Sequence, residues 1–187
     1  MAGVLFVCAV NRARSPWAEL ACRALLAQVP GGADVAVASA GTWTRGGEPM
    51  WGPAAQEAWS RGLDPEGFTS RMLTPAIAGE ASVVLAATRA LRDEVICSVP
   101  TVLARTFTWR ELAWLVTAQP PVWAGESLPE RLRLLPEHAR RARGAVAAPP
   151  PAALDVDDPA GRSAATVRRC ADETFTAVTT IVGALSR

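Results

Sequence analysis

The chain has 187 residues, of which half are hydrophobic, and its formal net charge is only +1. This length suits a single domain over residues 1–187 with a sizeable core, and the near-neutral charge argues against a nucleic-acid-binding surface or a polybasic membrane anchor. All 19 basic residues are arginine, which excludes any mechanism that needs a catalytic lysine.

The first half of the chain alternates strand-like and helix-like segments. Residues 1–10 are apolar, lack the charged region of a signal peptide and are too few to span a bilayer. We therefore interpret residues 3–8 as a buried first strand and expect a soluble, cytoplasmic protein. The next predicted segments are a helix at 15–28, a second strand at 33–41, a helix at 52–62 that ends at Gly62, a third strand at 82–87 and a helix at 89–96.

The second half is predicted to be mainly helical. Because strands alternate with helices, the sequence predicts an α/β fold in which helices cover both faces of a four-stranded parallel sheet, giving three α/β/α layers. We expect Pro136 to interrupt one helix, and we expect loops at 117–127 and 144–153. The predicted elements are a short fourth strand within 101–107, an amphipathic helix at 108–116, a helix at 128–144 and a long last helix at 162–186.

A cysteine, Cys8, ends the first predicted strand, and Arg14 follows it six residues later. A loop that leads from the carboxyl end of a strand into a helix directs backbone N–H groups at an anion, and ligands bind open parallel sheets at this edge. The same donors would stabilise a thiolate at Cys8, and Arg14 would offer a bidentate grip on an oxyanion. The spacing alone is equally compatible with a core cysteine followed by an exposed arginine.

The remaining cysteines, Cys22, Cys97 and Cys170, are predicted to be buried or inert thiols. The four cysteines are widely spaced, and the chain has a single histidine, so the sequence shows neither a zinc pattern nor a dense disulfide framework. No metal site is expected.

The stretch CAVNRARSP, residues 8–16, resembles the phosphate loop of the low-molecular-weight protein tyrosine phosphatases, whose pattern is C-x-x-N-x-x-R-S-P. The resemblance is weakest over 117–150, which we interpret as an enlarged connection. It continues in chain order through SAGTW at 39–43, RGLDPEGFTSRMLT at 61–74, VVLAATRALRDEV at 83–95, RTFTWRELAWL at 105–115 and DVDDPAGRS at 155–163, with the third-strand and following segments similar to actinobacterial members.

The resemblance implies a two-step phosphatase mechanism that needs no metal or cofactor. Cys8 would attack the phosphoryl group and form a cysteinyl-phosphate, while Arg14 and the loop amides hold the equatorial oxygens. Asp158 would protonate the leaving oxygen and then activate water for hydrolysis. The loop residues expected to bind the phosphoryl group are Ala9, Val10, Asn11, Arg12, Ala13 and Ser15.

The resemblance also implies supporting roles around this loop. Asn11 would hold the loop in a strained shape through side-chain hydrogen bonds, including one to Ser39. Ser15 would hydrogen-bond Cys8, although it could also cap the following helix with Pro16 in the first turn. For Arg12 the sequence leaves two orientations open, one toward the rim of the site and one toward solvent.

Three acidic residues precede Pro159 in the stretch DVDDP. From composition alone they could form a solvated acidic turn, since Asp-Pro is common in turns. The family takes its general acid from the aspartate just before this proline, which favours Asp158. Asp157 is the alternative, and Asp155 is expected at the surface.

Two of the positions at which this chain departs from the family pattern bear directly on the site. The aromatic residue usual after Asp-Pro, which lines the substrate cleft, is Ala160 here, so Trp43 or Trp51 could supply a wall instead or could simply pack in the core. The second cysteine that many relatives carry before the loop arginine is Ala13. A protective disulfide within the loop cannot form, so Cys8 should be open to overoxidation.

The function that the resemblance implies is hydrolysis of phosphate monoesters, above all protein phosphotyrosine, with a tyrosine kinase as a candidate partner and no nucleic-acid or membrane partner. The altered cleft could instead admit a small phosphate monoester. Two further alternatives are arsenate reduction with an external small thiol and a non-catalytic phosphate-binding regulatory module.

Overall fold

The computed structural model describes residues 2–187 and contains an all-parallel sheet of four strands in the order β2-β1-β3-β4. This arrangement confirms the predicted α/β fold. In a parallel sheet the carboxyl ends of all strands lie at one edge, so the loops that follow them meet there. The strands are β1 (Ala2–Cys8), β2 (Val35–Gly41), β3 (Val83–Ala86) and β4 (Thr106–Thr108).

Seven α-helices are present in the described part of the chain, and they cover both faces of the sheet. None of the helices within residues 2–187 is long and apolar enough to cross a membrane. The helices are α1 (Arg14–Leu26), α2 (Gly52–Trp59), α3 (Pro75–Glu80), α4 (Arg89–Ser98), α5 (Trp109–Ala118), α6 (Leu128–Ala145) and α7 (Ala164–Ser186).

Successive residues of β1 point to opposite faces of the sheet and so divide the core in two. Val4, Phe6 and Cys8 belong to a large buried cluster with residues of α1, α5, α6 and α7. Leu5 and Val7 belong to a smaller cluster on the other face, with residues of α3 and α4. Burial on both faces explains why β1 is apolar at every position.

The predicted interruption at Pro136 is wrong, because α6 runs without a break through this residue. Proline lacks an amide donor and normally weakens a helix. Here Leu132, Leu135 and Ala139 are fully buried on the large cluster, and Pro136 itself is also buried. Tertiary packing of this apolar face holds the helix together, as it does for most helices in proteins.

Two other elements differ from the predictions. Helix α3 was not predicted; its six residues are too few for a periodic pattern, and it begins where the Thr74 hydroxyl accepts a hydrogen bond from the Ile77 N–H at 3.2 Å. The short fourth strand predicted within 101–107 lies at the end of that range and extends one residue beyond it: a 3₁₀ helix, Pro100–Arg105, comes first, and β4 has three residues.

Candidate active site

The loop between β1 and α1, from Cys8 to Arg14, is tied on its outer side to the segment that follows β2. Three of its carbonyl groups accept hydrogen bonds from backbone N–H groups of residues 42–51. Because C=O and N–H point in opposite directions across a trans peptide, the amides that follow these carbonyls point away from that segment, toward the interior of the loop. With the N-terminus of α1 they form an anion site. The hydrogen bonds run from Thr42 to Cys8 (3.1 Å), from Trp43 to Ala9 (2.8 Å) and from Trp51 to Arg12 (2.7 Å).

Asn11 lies at the centre of this loop with a positive φ of 54° and a fully buried side chain. Its Nδ2 donates to Ser39 Oγ at 2.8 Å and to Ser15 Oγ at 3.0 Å, and its Oδ1 accepts from the Arg71 N–H at 2.8 Å. A non-glycine residue in this conformation costs about 1–2 kcal/mol. The three hydrogen bonds offset that cost and hold the strained shape of the loop.

The Ser15 hydroxyl donates a hydrogen bond to Cys8 Sγ at 3.0 Å, and both side chains are buried. Ser15 does not cap α1: the capping position is Ala13, which makes no side-chain hydrogen bond, and Pro16 lies at the third helical position. The hydroxyl is therefore committed to the cysteine and to the network around Asn11.

Glu19 is a further member of the hydrogen-bond network around Asn11, and it was not singled out from the sequence. It is 1% exposed, its Oε2 accepts from Ser39 Oγ at 2.5 Å, and its Oε1 pairs with Arg23 at 2.5 Å and with Arg71 at 3.9 Å. A buried carboxylate needs such partners because desolvation is costly. The signal in the sequence is the four-residue spacing of Ser15, Glu19 and Arg23, which places them on one helix face.

Arg14 is buried and reaches across to the loop that precedes α7. Its Nη2 lies 2.9 Å from Oδ2 of Asp158, and its Nη1 donates to the Val156 carbonyl at 3.3 Å. The Asp158 side chain is half exposed, at 54%, and its Oδ1 accepts from the Ala160 N–H at 3.1 Å. The structure thus brings Cys8, Arg14 and Asp158 to the same edge of the sheet.

The other two acidic residues of this loop have different surroundings. Asp157 points outward, 67% exposed, and pairs with the exposed Arg169 at 2.9 Å. Asp155, expected at the surface, is instead only 27% exposed, and its Oδ1 accepts a hydrogen bond from the Arg89 N–H at 2.7 Å. The expectation for Asp155 is therefore wrong, because the N-terminus of α4 offers it a backbone donor.

The rim of the site is formed by side chains of the phosphate loop and of residues 42–51. Arg12 turns away from the loop interior, donating to the Pro49 carbonyl at 3.1 Å and pairing with Glu48 at 3.1 Å. Trp43 is 77% exposed, whereas Trp51 is half-buried against a small cluster formed by residues of α1, α2 and α7. Of the two tryptophans that could line the substrate cleft, Trp43 is therefore the one whose ring is exposed beside the loop.

Gly41, at the end of β2, is a further residue that the sequence analysis missed. It pairs with Cys8 in the sheet, and a Cβ atom placed on it would lie 2.6 Å from the Ala9 carbonyl oxygen and 3.0 Å from the Asn11 nitrogen. Only glycine lets β2 approach the phosphate loop this closely. The signal was the glycine directly after Ser39 and Ala40 in SAGTW.

The three remaining cysteines are free thiols. Burial raises the pKa of Cys22 to about 12 and also raises the pKa of Cys170, so both are poor nucleophiles. Of the three thiols expected to be buried or inert, Cys22 and Cys170 are buried, whereas Cys97 is exposed. Within residues 2–187 no three His, Cys, Asp or Glu side chains are grouped so as to hold a metal ion.

Comparison with known proteins agrees with this geometry. A protein-family model described as low molecular weight phosphotyrosine protein phosphatase matches residues 3–111, while no curated protein matches significantly. Similar solved structures include a YwlE mutant from Bacillus subtilis (19% identity, 100% of each chain covered, TM-score 0.71) and a low molecular weight protein tyrosine phosphatase from T. tengcongensis (21%, 98% of this chain and 99% of that one, 0.71). A third is the YwlE arginine phosphatase from Geobacillus stearothermophilus (22%, 97% and 90%, 0.68).

At these identities the solved structures establish a shared fold, whereas the family model matches more than half of the chain and includes the phosphate loop. The carboxyl edge of the sheet carries the cysteine, the arginine and the strained loop between them. The chain therefore belongs to the low molecular weight phosphotyrosine protein phosphatase family and is a cysteine-dependent phosphatase.

Proposed function

We propose that Cys8 is the nucleophile of this phosphatase. Its sulfur attacks phosphorus, a P–S bond forms, and the bond from phosphorus to the leaving oxygen breaks, giving a cysteinyl-phosphate. The support for this role is the position of Cys8 at the end of β1 and the hydrogen bond that Ser15 donates to its sulfur at 3.0 Å. This hydrogen bond favours the thiolate both as nucleophile and as leaving group in the second step.

The phosphoryl oxygens are bound by the Arg14 guanidinium and by the backbone amides of residues 9–13, the substrate-binding part of the loop. Arg14 offers two parallel donors, and fixed amides stabilise the charge that develops on the equatorial oxygens. Asn11, Ser15 and Ser39 support this binding by holding the loop in shape through their hydrogen bonds. Arg12 takes part through its backbone, because its side chain is engaged by Glu48.

Asp158 is the general acid and then the general base. The observation that carries the proposed mechanism is the 2.9 Å contact between Arg14 and Asp158, which brings an acidic group to the phosphate loop from a distant part of the chain. When the phosphoryl group displaces the Asp158 carboxylate from Arg14, the carboxylate loses its cation, takes up a proton from the solvent or from a substrate monoanion, and then donates this proton to the leaving oxygen. Asp158 then accepts a proton from the water that attacks the cysteinyl-phosphate, and the P–S bond breaks to release phosphate and the thiolate.

The proposed substrate is phosphotyrosine on a protein. Trp43 supports this choice of substrate. Its backbone N–H donates to the Ala9 carbonyl, and the residue is 77% exposed, so its ring can stack on a phenyl group above the loop. Ala160, in place of an aromatic residue, leaves the opposite wall open, which favours a small phosphate monoester as the second candidate substrate.

The first test is hydrolysis of p-nitrophenyl phosphate in the presence of EDTA by the wild type and by Cys8→Ser, with an arsenate-reduction assay using small thiols in parallel. We expect phosphate release that EDTA does not inhibit and that Cys8→Ser abolishes, because a serine hydroxyl is neither ionised nor a good leaving group here. Arsenate reduction without phosphate release would overturn the phosphatase mechanism. Phosphate binding without either activity would favour a regulatory module.

The second test compares substrates on the wild-type protein: a phosphotyrosine peptide, a phosphoarginine peptide and a sugar phosphate, ranked by kcat/KM. The phosphoarginine peptide is included because one similar structure is described as an arginine phosphatase. Preference for the phosphotyrosine peptide supports the proposed substrate, and preference for either of the others replaces it.

The proposal also covers the domain organisation, the location and the partner of the enzyme. The chain acts as one domain over residues 1–187, in which the connection at 117–150 supplies α6 to the core rather than a separate unit. It works in the cytoplasm, where a tyrosine kinase that phosphorylates the same proteins is the expected partner. Co-purification of the Cys8→Ser variant with tyrosine-phosphorylated proteins from its own cells tests this setting.

A further inference from the structure

The loop that carries Asp158 is clamped at its base, two to four residues before the proposed acid. Backbone groups of residues 154–156 are held by side chains and backbone from four different parts of the fold. The contacts are Thr108 Oγ1 to the Leu154 carbonyl (2.7 Å), Arg110 Nη1 to the Asp155 carbonyl (3.1 Å), the Val156 N–H to the Ala87 carbonyl (2.9 Å) and Arg14 Nη1 to the Val156 carbonyl (3.3 Å).

The Asp155 carboxylate adds a side-chain anchor to this clamp. Its Oδ1 accepts from the Arg89 N–H at 2.7 Å, and the Arg89 guanidinium lies 3.5 Å from both of its oxygens. Arg89 is the first residue of α4, a helix of ten residues, so the carboxylate sits at the positive end of the helix. A side chain from residue 155 thus satisfies a backbone donor 66 positions away.

This anchor connects the acid loop to the strand beside the nucleophile. Ala87 and Arg89, which hold Val156 and Asp155, directly follow β3, and β3 lies next to β1 in the sheet. Because β1 ends at Cys8, the position of residue 155 relative to the phosphate loop is set through two hydrogen-bonded strands. Asp158 is only three residues further on, so the same contacts restrict its position as well.

We propose that Asp155 is a positioning residue for the general acid: it holds the base of the loop on the N-terminus of α4 and so places the Asp158 carboxylate above the phosphate loop. This inference rests on the proposed role of Asp158 as the acid. The three aspartates of DVDDP then have three separate functions, since Asp155 positions the loop, Asp157 pairs with Arg169 at the surface, and Asp158 transfers the proton.

The test measures kcat/KM for a series of aryl phosphates whose leaving phenols range from p-nitrophenol to phenol. This parameter reports steps up to formation of the cysteinyl-phosphate, where the acid acts on the leaving oxygen. Asp155→Ala is expected to lower kcat/KM by about tenfold for phenyl phosphate and by about twofold or less for p-nitrophenyl phosphate, because a displaced acid matters most for a poor leaving group.

Two further variants of the same residue sharpen this test. Asp155→Asn retains an oxygen that accepts from the Arg89 N–H and is expected to recover most of the rate. Asp155→Glu keeps the charge but extends the side chain by one methylene, and it should show the same leaving-group dependence as Asp155→Ala. If the alanine variant does not fold, Asp155→Glu takes its place in the test. The matched control is Asp157→Ala, expected to stay within about twofold of wild type for every ester.

A double variant separates positioning from a merely structural role. Placed in an Asp158→Ala background, Asp155→Ala is expected to cause no further loss of kcat/KM, because its effect acts through the missing acid. A loss that is equal for all esters, or that adds fully to Asp158→Ala, would overturn the inference, as would a wild-type profile for Asp155→Glu. If Asp158→Ala alone shows no leaving-group dependence, the proposed acid itself is wrong, which is a distinguishable result.

Discussion

The Asp158 carboxylate lies 2.9 Å from the Arg14 guanidinium, although 144 positions separate the two residues in the chain. Arg14 is the side chain proposed to bind the phosphoryl group, so in the free protein the acid occupies part of the donor capacity that substrate needs. A phosphoryl dianion and the carboxylate compete for the same cation. Binding of substrate would therefore free the Asp158 carboxylate from Arg14, so that it can take up the proton that the proposed general acid gives to the leaving oxygen.

Removing the acid is expected to affect binding and chemistry in opposite directions. Asp158→Ala should bind inorganic phosphate at least as tightly as the wild type, because the competing carboxylate is gone, while kcat/KM for phenyl phosphate falls by about 10²–10⁴-fold. The measurements are the inhibition constant of phosphate and the kinetics with phenyl phosphate. Weaker phosphate binding in the variant would show that Asp158 assists the arginine rather than competing with it.

Gly41→Ala is expected to distort the phosphate loop. The new Cβ would lie 2.6 Å from the Ala9 carbonyl oxygen, so the loop backbone must move, at a cost of about 1–3 kcal/mol in the free energy of unfolding and with at least a tenfold loss of kcat. Urea unfolding and p-nitrophenyl phosphate turnover measure the two effects.

The matched control is Gly144→Ala, which lies within α6 with open space around its Cβ position. It should raise the free energy of unfolding by about 0.5–1 kcal/mol and leave turnover unchanged. Wild-type kcat in Gly41→Ala would show that the close approach of β2 to the loop is not needed.

Trp43→Ala is expected to raise KM for a phosphotyrosine peptide by about fivefold to tenfold, since stacking on an exposed aromatic ring contributes about 1 kcal/mol. The same variant should leave KM for a sugar phosphate unchanged. Trp51→Ala is the comparison, because Trp51 is half-buried and its loss should lower thermal stability rather than discriminate between substrates. An equal change for both substrates would remove Trp43 from the substrate wall.

The alkaline limit of stability is expected to depend on Cys22. The chain has no lysine and no tyrosine, whose side chains ordinarily titrate near pH 10 and would otherwise contribute in the same range. Burial raises the pKa of Cys22 from 9.0 to about 12, so the folded protein keeps the proton where the unfolded chain has lost it. The resulting stability is fully present below pH 9 and is lost as the pH rises from 9 to 12.

Urea unfolding between pH 8.5 and 11 measures this loss, which for one thiol approaches a slope of about 1.4 kcal/mol per pH unit. Cys22→Ala should make the slope shallower, and adding Cys170→Ala should flatten it further, because burial raises the pKa of that thiol as well. The control, Cys97→Ala, removes an exposed cysteine. A slope unchanged by Cys22→Ala would place the alkaline sensitivity elsewhere.

The phosphate loop could be read from the sequence because its parts are contiguous. Cys8, Asn11, Arg14 and Ser15 lie within eight residues, and the contiguous stretch that contains them resembles the phosphate-loop pattern of the family. The parallel sheet was predictable for a similar reason, since apolar strands and amphipathic helices alternate along the chain. Helix α3 and the continuity of α6 through Pro136 were not, because short capped turns and tertiary burial leave no periodic signal.

The sequence by itself thus determined the fold class, the anion-binding loop and the segment that contains the proposed acid. Only the tertiary structure decided how the three aspartates of that segment divide their roles. Their local sequences are nearly equivalent, and what distinguishes them is which donors come from elsewhere: the N-terminus of α4 for Asp155, the exposed Arg169 for Asp157 and the buried Arg14 for Asp158. Hydrogen-bond donors that are distant in the chain become neighbours only when the sheet forms.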